Sequence, residues 1–134
     1  MAEDLDEIRE KKLEDLKAKQ SGDGAGTPTS PIHIDGAGDL QSTADEHGVV
    51  LVDFYADWCG PCQMLEPVVE TIAEETDAAV AKVDVDANQQ LAAEYGVRGV
   101  PTLILFADGE PVERLVGMQN ESQLRSLIAS HTGA

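Results

Sequence analysis

Basic residues are scarce in this chain. Of its 134 residues, 9 are Lys or Arg and 26 are Asp or Glu, which gives a formal net charge of −17. A nucleic-acid backbone attracts clustered Lys and Arg, and so does an anionic lipid surface. The charge balance therefore excludes general nucleic-acid binding and disfavours attachment to an anionic membrane.

Long apolar runs are also missing. No uninterrupted apolar stretch approaches the roughly 20 residues that span a bilayer. Residues 1–7 are rich in acid, whereas a secretory signal starts with basic residues and continues with an apolar segment. These features predict a cytoplasmic protein with no membrane span.

The acidic residues are spread along the whole chain. Residues 1–40 carry 10 acidic and 5 basic side chains, and residues 41–134 carry 16 and 4. Such a spread is typical of proteins from salt-loving archaea, in which dense salt screens the self-repulsion of an acidic surface. We therefore predict a halophilic protein; the alternative is an acidic docking face for one basic partner.

The composition divides the chain into an N-terminal extension and one globular domain. Residues 2–19 are highly charged, and their apolar side chains recur at helical spacing. Residues 21–31 are rich in Gly, Ser, Thr and Pro, as in a flexible linker. We expect a charged helix and linker over 1–31 and a single domain over 32–134. The helix is either a solvated appendage or a segment that docks a partner or pairs with itself.

From residue 32 onward, strand and helix patterns alternate, which predicts an α/β domain. The apolar run 49–55 is typical of a central strand that is covered on both faces. Asp108-Gly109 predicts a hairpin, so part of the sheet is antiparallel. The predicted strands cover 32–34, 49–55, 80–85, 102–106 and 112–116, and the predicted helices cover 38–46, 60–75, 86–95 and 120–132.

Two local helix features are predicted in addition. In the helix over 60–75, the apolar positions form one face, and Glu66, Glu70 and Glu74 are placed on the opposite face. Asp86 and Gln89 match a capping box, which predicts that Asp86 opens the next helix.

The two cysteines, Cys59 and Cys62, follow the predicted central strand and open a helix. Unpaired backbone N–H groups and the positive end of the helix dipole stabilise a thiolate at such a position. Because the thiolate is the species that attacks disulfides, Cys59 is the predicted nucleophile. Cys62, one turn further on, can attack the resulting mixed disulfide, and Gly60 and Pro61 shape the turn between them.

Asp53 is the one ionisable side chain in the predicted central strand before Tyr55. Burial is expected to raise the pKa of its carboxyl group, which could then exchange a proton with Cys62. The alternative is a solvated aspartate at a strand end with no role. Lys82, in another strand, either approaches Asp53 and supports proton transfer or is an ordinary surface lysine.

The motif Trp-Cys-Gly-Pro-Cys at 58–62 follows this buried aspartate, and Val-Pro-Thr comes about forty residues later, a far more specific combination than Cys-x-x-Cys alone. With these motifs the sequence resembles the thioredoxin family over about residues 32–132. Further matching positions are Pro67, 81–86, 95–102, Asp108-Gly109 and Gly117.

The resemblance implies a thioredoxin fold, in which helices flank a central mixed β-sheet. It implies a cis peptide bond before Pro101, beside the cysteines. It also implies a shallow apolar groove that binds substrate polypeptide by backbone pairing. The groove residues carried over from the family are Trp58, Gly60, Pro61, Val100, Pro101, Thr102 and Gly117.

The family further implies the function. We expect a monomeric protein-disulfide reductase that acts on cytosolic proteins, is recharged by a thioredoxin reductase and needs no cofactor. The alternative is a partner-binding module that uses the N-terminal helix. Two departures from the family are Tyr55, where many members have Trp, and Gln63, where many have a basic residue.

Metal binding is not expected. A zinc or iron–sulfur site needs about four ligands, and the cysteine pair supplies two. The three histidines are not at ligand spacing, and Gln63 excludes the haem-attachment pattern, which requires His after the second cysteine.

Overall fold

The computed structural model describes residues 27–132 of the chain. Most of the predicted extension, residues 1–26, lies outside the described residues. Among those described, no helix has both the length and the apolar composition that crossing a membrane requires. The strands are β1 (Ile32–His33), β2 (Val49–Tyr55), β3 (Ala79–Asp84), β4 (Thr102–Ala107) and β5 (Glu110–Val116), and the helices are α1 (Ala37–Glu46), α2 (Gly60–Glu75), α3 (Gln89–Glu94) and α4 (Glu121–Thr132).

The five strands form one mixed sheet in the order β1-β3-β2-β4-β5. β1, β3 and β2 run parallel, whereas β4 pairs antiparallel with both β2 and β5. Asp108 and Gly109 have φ values of 55° and 85° at the β4–β5 turn, so both central residues adopt the left-handed conformation of a tight hairpin. The mixed sheet and the hairpin confirm the sequence prediction.

Helices cover both faces of the sheet. β2 lies at the centre and its residues alternate between two buried clusters, which confirms the prediction of a strand covered on both sides. Val50, Val52 and Phe54 face α1 and α3. Val49 and Leu51 face α2 and α4. Because side chains alternate along a strand, Asp53 falls on the α2 face.

The predicted capping box at the start of α3 is wrong. The residue that precedes the helix is Asn88, and α3 begins at Gln89. Asp86 lies in the preceding turn, where its backbone N–H donates to Asp84 Oδ1 at 2.9 Å. Asp84 thus takes up the local N–H groups that the prediction had assigned to a longer helix, because a short polar side chain readily bonds the backbone two residues on.

The opening of α4 agrees with its prediction. Asn120 Oδ1 accepts a hydrogen bond of 2.8 Å from the Gln123 N–H, which satisfies one of the free donors of the first turn. Gly96, with φ of 68°, follows α3 and gives the left-handed residue that commonly ends a helix.

Candidate active site

Cys59 lies between the end of β2 and the start of α2. It is the N-cap residue of α2, in an extended conformation, and its Sγ accepts a hydrogen bond of 3.1 Å from the Cys62 N–H. The Cys59 N–H itself donates to the Ala56 carbonyl at 3.2 Å. Pro61 falls in the first turn, where the missing N–H would have had no partner inside the helix. The local sequence therefore fixes one sulfur at the positive end of α2.

Cys59 and Cys62 form a disulfide, with their Cα atoms 5.2 Å apart. Both side chains are buried in a small cluster with Ala56, against which Tyr55, Val85 and Val100 pack. Cys59, the predicted nucleophile, is the cysteine at the N-terminus of α2. The structure thus brings together the two cysteines that the sequence singled out.

The loop before β4 lies beside this disulfide. The Val100–Pro101 peptide bond is cis, as the family resemblance implied. The Thr102 hydroxyl donates to the Gly99 carbonyl at 2.8 Å, and the Gly117 N–H donates to the Pro101 carbonyl at 2.9 Å. These two bonds hold the loop between the start of β4 and the end of β5.

Trp58 and the loop form a shallow cleft next to the disulfide. The Trp58 side chain is 71% exposed, yet its indole Nε1 donates a hydrogen bond of 2.8 Å to Asp86 Oδ2. The cleft has a volume of about 120 Å³, and its walls are Trp58, Val85 and residues 97–100. Gly60 and Pro61 are exposed at the start of α2. An exposed, mostly apolar surface of this kind can receive an extended polypeptide.

Asp53 is completely buried beneath α2. Within residues 27–132, neither of its carboxylate oxygens has a hydrogen-bond partner. Burial raises the pKa of Asp53 from 3.8 to about 6, Lys82 opposes this rise, and Glu66 adds to it. The predicted direction of the shift and its physical cause are confirmed, and the alternative of a solvated strand end is wrong.

Lys82 is the strand neighbour of Asp53, since the two residues are paired in the β2–β3 register. Its side chain is only 3% exposed, so the surface-lysine alternative is wrong. The ammonium lies 4.4 Å from the centre of the Tyr55 ring and forms an ion pair with Glu66. Lys82 therefore lies beside Asp53, which agrees with one of the two predicted alternatives. Its ion-pair partner, however, is Glu66.

Sequence reasoning missed three residues at this site. Glu66 was placed on the outer face of the helix, but it contacts the buried Lys82. A signal was present, because Glu66 follows Cys62 by four positions and so lies on nearly the same stripe of the helix. Asp86, which bonds the Trp58 indole, was predicted only as a helix cap, and Met64, which is 69% exposed on α2, was not marked by any motif.

No group of three or more His, Cys, Asp or Glu side chains in the described part of the chain is arranged to hold a metal ion. The reactive groups that the structure brings to the site are the two sulfurs and the buried carboxyl group. A cysteine pair at a helix N-terminus, joined in a disulfide beside an open apolar cleft, defines a thiol–disulfide oxidoreductase.

Comparison with known proteins establishes the family within that class. The thioredoxin family model matches residues 38–130, which is more than half of the chain. The chain therefore belongs to the thioredoxin family.

Relatives of known sequence agree with this assignment. The chain is 51% identical to a thioredoxin of Chlamydia muridarum over 85 residues, which cover 63% of this chain and 83% of the relative. It is 50% identical to a thioredoxin of Staphylococcus epidermidis over 88 residues, covering 64% and 85%.

Solved structures show the same fold. A mutant thioredoxin from Halobacterium salinarum is 64% identical, with a TM-score of 0.78 and coverage of 79% of this chain and 94% of that one. Fasciola hepatica thioredoxin is 42% identical, with a TM-score of 0.69 and coverage of 75% and 98%. The similarity to the Halobacterium protein is consistent with the halophilic origin that the acidic composition predicts.

Proposed function

We propose that this chain reduces disulfides in cytosolic proteins and that a reductase returns its Cys59–Cys62 disulfide to the dithiol. The observation that supports this proposal best is the position of the pair: a disulfide at the N-terminus of α2, beside an apolar cleft that is open to solvent. Membership of the thioredoxin family supports two kinds of partner, disulfide-containing proteins and a reductase.

In the first step, the Cys59 thiolate attacks one sulfur of the substrate disulfide. A bond forms between Cys59 Sγ and that sulfur, the substrate S–S bond breaks, and the other substrate sulfur leaves as a thiolate that takes up a proton. The hydrogen bond from the Cys62 N–H to Cys59 Sγ supports this assignment, because the same donor would stabilise a negative charge on that sulfur.

In the second step, Cys62 gives up its proton and attacks Cys59 Sγ. The Cys59–Cys62 disulfide forms, the mixed disulfide breaks, and the second substrate sulfur leaves as a thiolate and is protonated. The substrate gains two electrons, and the cysteine pair loses them. A reductase must then supply two electrons before the next turnover.

Asp53 is proposed to accept the proton of Cys62 in this second step. A general base works best when its pKa lies near the working pH, and the pKa of about 6 for Asp53 keeps both of its protonation states accessible near neutrality. Lys82 supports the transfer by favouring the charged carboxylate that forms when Asp53 gives up its proton to solvent.

The substrate is proposed to lie across the cleft in an extended conformation. Trp58, Gly60 and Pro61 offer an exposed surface beside the disulfide, and Val100 lines the same cleft as Trp58. Gly117 donates a backbone hydrogen bond to Pro101 in the adjoining loop. Pro101 and Thr102 are buried, so their part in binding is to fix the loop on which the substrate backbone would pair.

Two cysteine variants test the proposal. In an insulin-reduction assay, we expect Cys59→Ser to abolish turnover, since the attacking thiolate is lost. Cys62→Ser, the matched control, should still attack but stop at the mixed disulfide, which intact-mass measurement would detect. Full turnover by Cys59→Ser would refute the proposed reduction.

The partner-binding alternative is tested by deleting residues 1–31. If the function is disulfide reduction, the shortened protein keeps the turnover rate of the full chain. Intact turnover together with loss of a bound partner would favour the binding module. Gel filtration of both proteins checks the proposed monomeric state.

A further inference from the structure

Three ionisable side chains from three different elements meet beneath the start of α2. Asp53 comes from β2, Lys82 from the neighbouring β3, and Glu66 from α2. Lys82 is paired in register with Asp53, but its ammonium contacts Glu66 Oε1. Both Asp53 oxygens are left without a hydrogen-bond partner in the described part of the chain.

Glu66 stands between this buried group and solvent. It lies one helical turn after Cys62, and both residues line a small cleft of about 80 Å³ together with Tyr55 and Gln63. The Glu66 side chain is 42% exposed, whereas that of Lys82 is 3% exposed. The ion pair therefore anchors a buried ammonium to a carboxylate at the mouth of the cleft that reaches Cys62.

We propose that Glu66 is a positioning residue, which holds the Lys82 ammonium in place through their ion pair and thereby determines the pH at which Asp53 exchanges its proton. The effect of Glu66 on turnover rests on the proposed disulfide reduction. The effect of Glu66 on the protonation of Asp53 does not rest on it, because that protonation can be measured without any substrate.

The sign of the effect follows from the charges. The Lys82 ammonium favours the charged Asp53 carboxylate, and the Glu66 carboxylate opposes it. Removing the Glu66 charge ends that repulsion and also releases the Lys82 ammonium to interact with Asp53, its strand neighbour. Both changes favour ionised Asp53.

The other groups around Asp53 do not compete in the oxidised protein. On the β4 side its register partner is Leu103, which carries no charge. From α2 the cysteines are joined in a disulfide and do not titrate. On its own strand, Tyr55 stays neutral in the relevant range, because burial and then the nearby acids Asp84 and Asp57 raise its pKa.

The test is a titration of the Asp53 carboxyl carbon by NMR in the full-length oxidised protein. We expect Glu66→Gln to lower the midpoint of Asp53 by about one pH unit, the size that a nearby charge produces. Glu70→Gln, an exposed change of equal charge one turn along the same helix, should leave the midpoint in place. An unchanged or raised midpoint in Glu66→Gln would overturn the proposal.

A second experiment, in a protein that lacks the Lys82 ammonium, distinguishes the positioning role of Glu66 from simple repulsion between the Glu66 and Asp53 charges. When Lys82→Met is combined with Glu66→Gln, no ammonium remains to be repositioned, so Glu66→Gln should lower the midpoint by clearly less than it does beside Lys82. An equal fall in both backgrounds would mean that Glu66 acts only as a charge, and the positioning role would be wrong. If Glu66→Gln does not fold, Glu66→Asp keeps the charge, shortens the side chain by one methylene and should give a smaller fall in the same direction; no fall would count against the proposal.

The pH profile of insulin reduction links the inference to catalysis. In Glu66→Gln the midpoint of this profile should move to lower pH together with the Asp53 titration, while the profile of Glu70→Gln stays with that of the unmodified protein. A profile that stays fixed while the titration moves would confine Glu66 to electrostatics without a catalytic effect and overturn the catalytic part of the proposal. Absence of insulin reduction by the unmodified protein would refute the proposed function, and the carboxyl titration would still decide the role of Glu66.

Discussion

The indole of Trp58 is tied to Asp86 by a hydrogen bond of 2.8 Å, although 71% of the tryptophan side chain is exposed. Asp86 lies in the turn that follows β3, so the bond connects the residue before Cys59 with a distant segment of the chain. It fixes the ring as one wall of the cleft. An exposed aromatic ring without such a bond would sample several rotamers.

We expect Asp86→Ala to release the Trp58 ring with little loss of stability, because an exposed hydrogen bond contributes on the order of 1 kcal/mol. The chain has one tryptophan, so tryptophan fluorescence reports on this ring alone. The fluorescence anisotropy should fall in Asp86→Ala and stay unchanged in Glu74→Gln, a remote exposed change that also removes one negative charge. Equal anisotropy in the two variants would show that the bond does not restrain the ring.

Asp53 should make the protein less stable as the pH rises. The pKa of its carboxyl is 3.8 in the unfolded chain and about 6 in the folded protein. Between these values the folded state keeps a proton that the unfolded state has lost, so the stability contributed by this group is full below pH 3.8 and is lost as the pH rises through about 6. The loss amounts to about 3 kcal/mol.

Asp53→Asn removes this titration, and urea unfolding at several pH values measures it. The free energy of unfolding of the variant, relative to the unmodified protein, should rise by roughly 2 kcal/mol from pH 4 to pH 8, because part of the full change has already occurred at pH 4. Taking the difference between the two proteins cancels the titration of the other acids. A difference that does not vary with pH would contradict the buried-carboxyl account.

Met64 and Ile72 lie on the same helix but should have opposite roles. Ile72 is completely buried, so Ile72→Ala is expected to cost about 2–5 kcal/mol of stability through lost packing and a cavity. Met64 is 69% exposed and follows Cys62 by two residues, so Met64→Ala should change stability by less than about 0.5 kcal/mol and raise the KM for insulin. Thermal unfolding and steady-state kinetics of both variants check this separation. A large loss of stability in Met64→Ala would contradict it.

The acidic surface should make folding depend on salt. With 26 acidic and 9 basic residues, self-repulsion opposes the compact state in dilute buffer, and KCl screens it. We expect Tm to rise by about 5 °C or more between 0.1 and 2 M KCl, which corresponds to about 1 kcal/mol. A variant with Glu70, Glu74 and Glu110 changed to Gln should show a smaller rise. A Tm that does not change with KCl would favour the alternative interpretation, in which the acidic residues form a docking face for a basic partner.

Much of the fold could be predicted because it depends on local patterns. The apolar run of 49–55 identified the central strand, and Asp108-Gly109 identified the hairpin, since their backbone preferences are set by neighbouring residues. The start of α3 was predicted wrongly for a related reason: Asp84 and Asp86 both offer side-chain oxygens, and the sequence does not rank these two competing partners of the backbone.

The sequence by itself determined the reactive pair and its place at a helix N-terminus, and it indicated an aspartate in the adjacent strand as a candidate for burial. These depend on residue type, spacing and apolar context, which are all visible along the chain. Only the tertiary structure decided that Lys82 pairs with Glu66, that Trp58 bonds Asp86, and that Val100 packs against the disulfide. Contacts of this kind depend on strand register and on how a helix settles on the sheet, and packing between distant segments sets both.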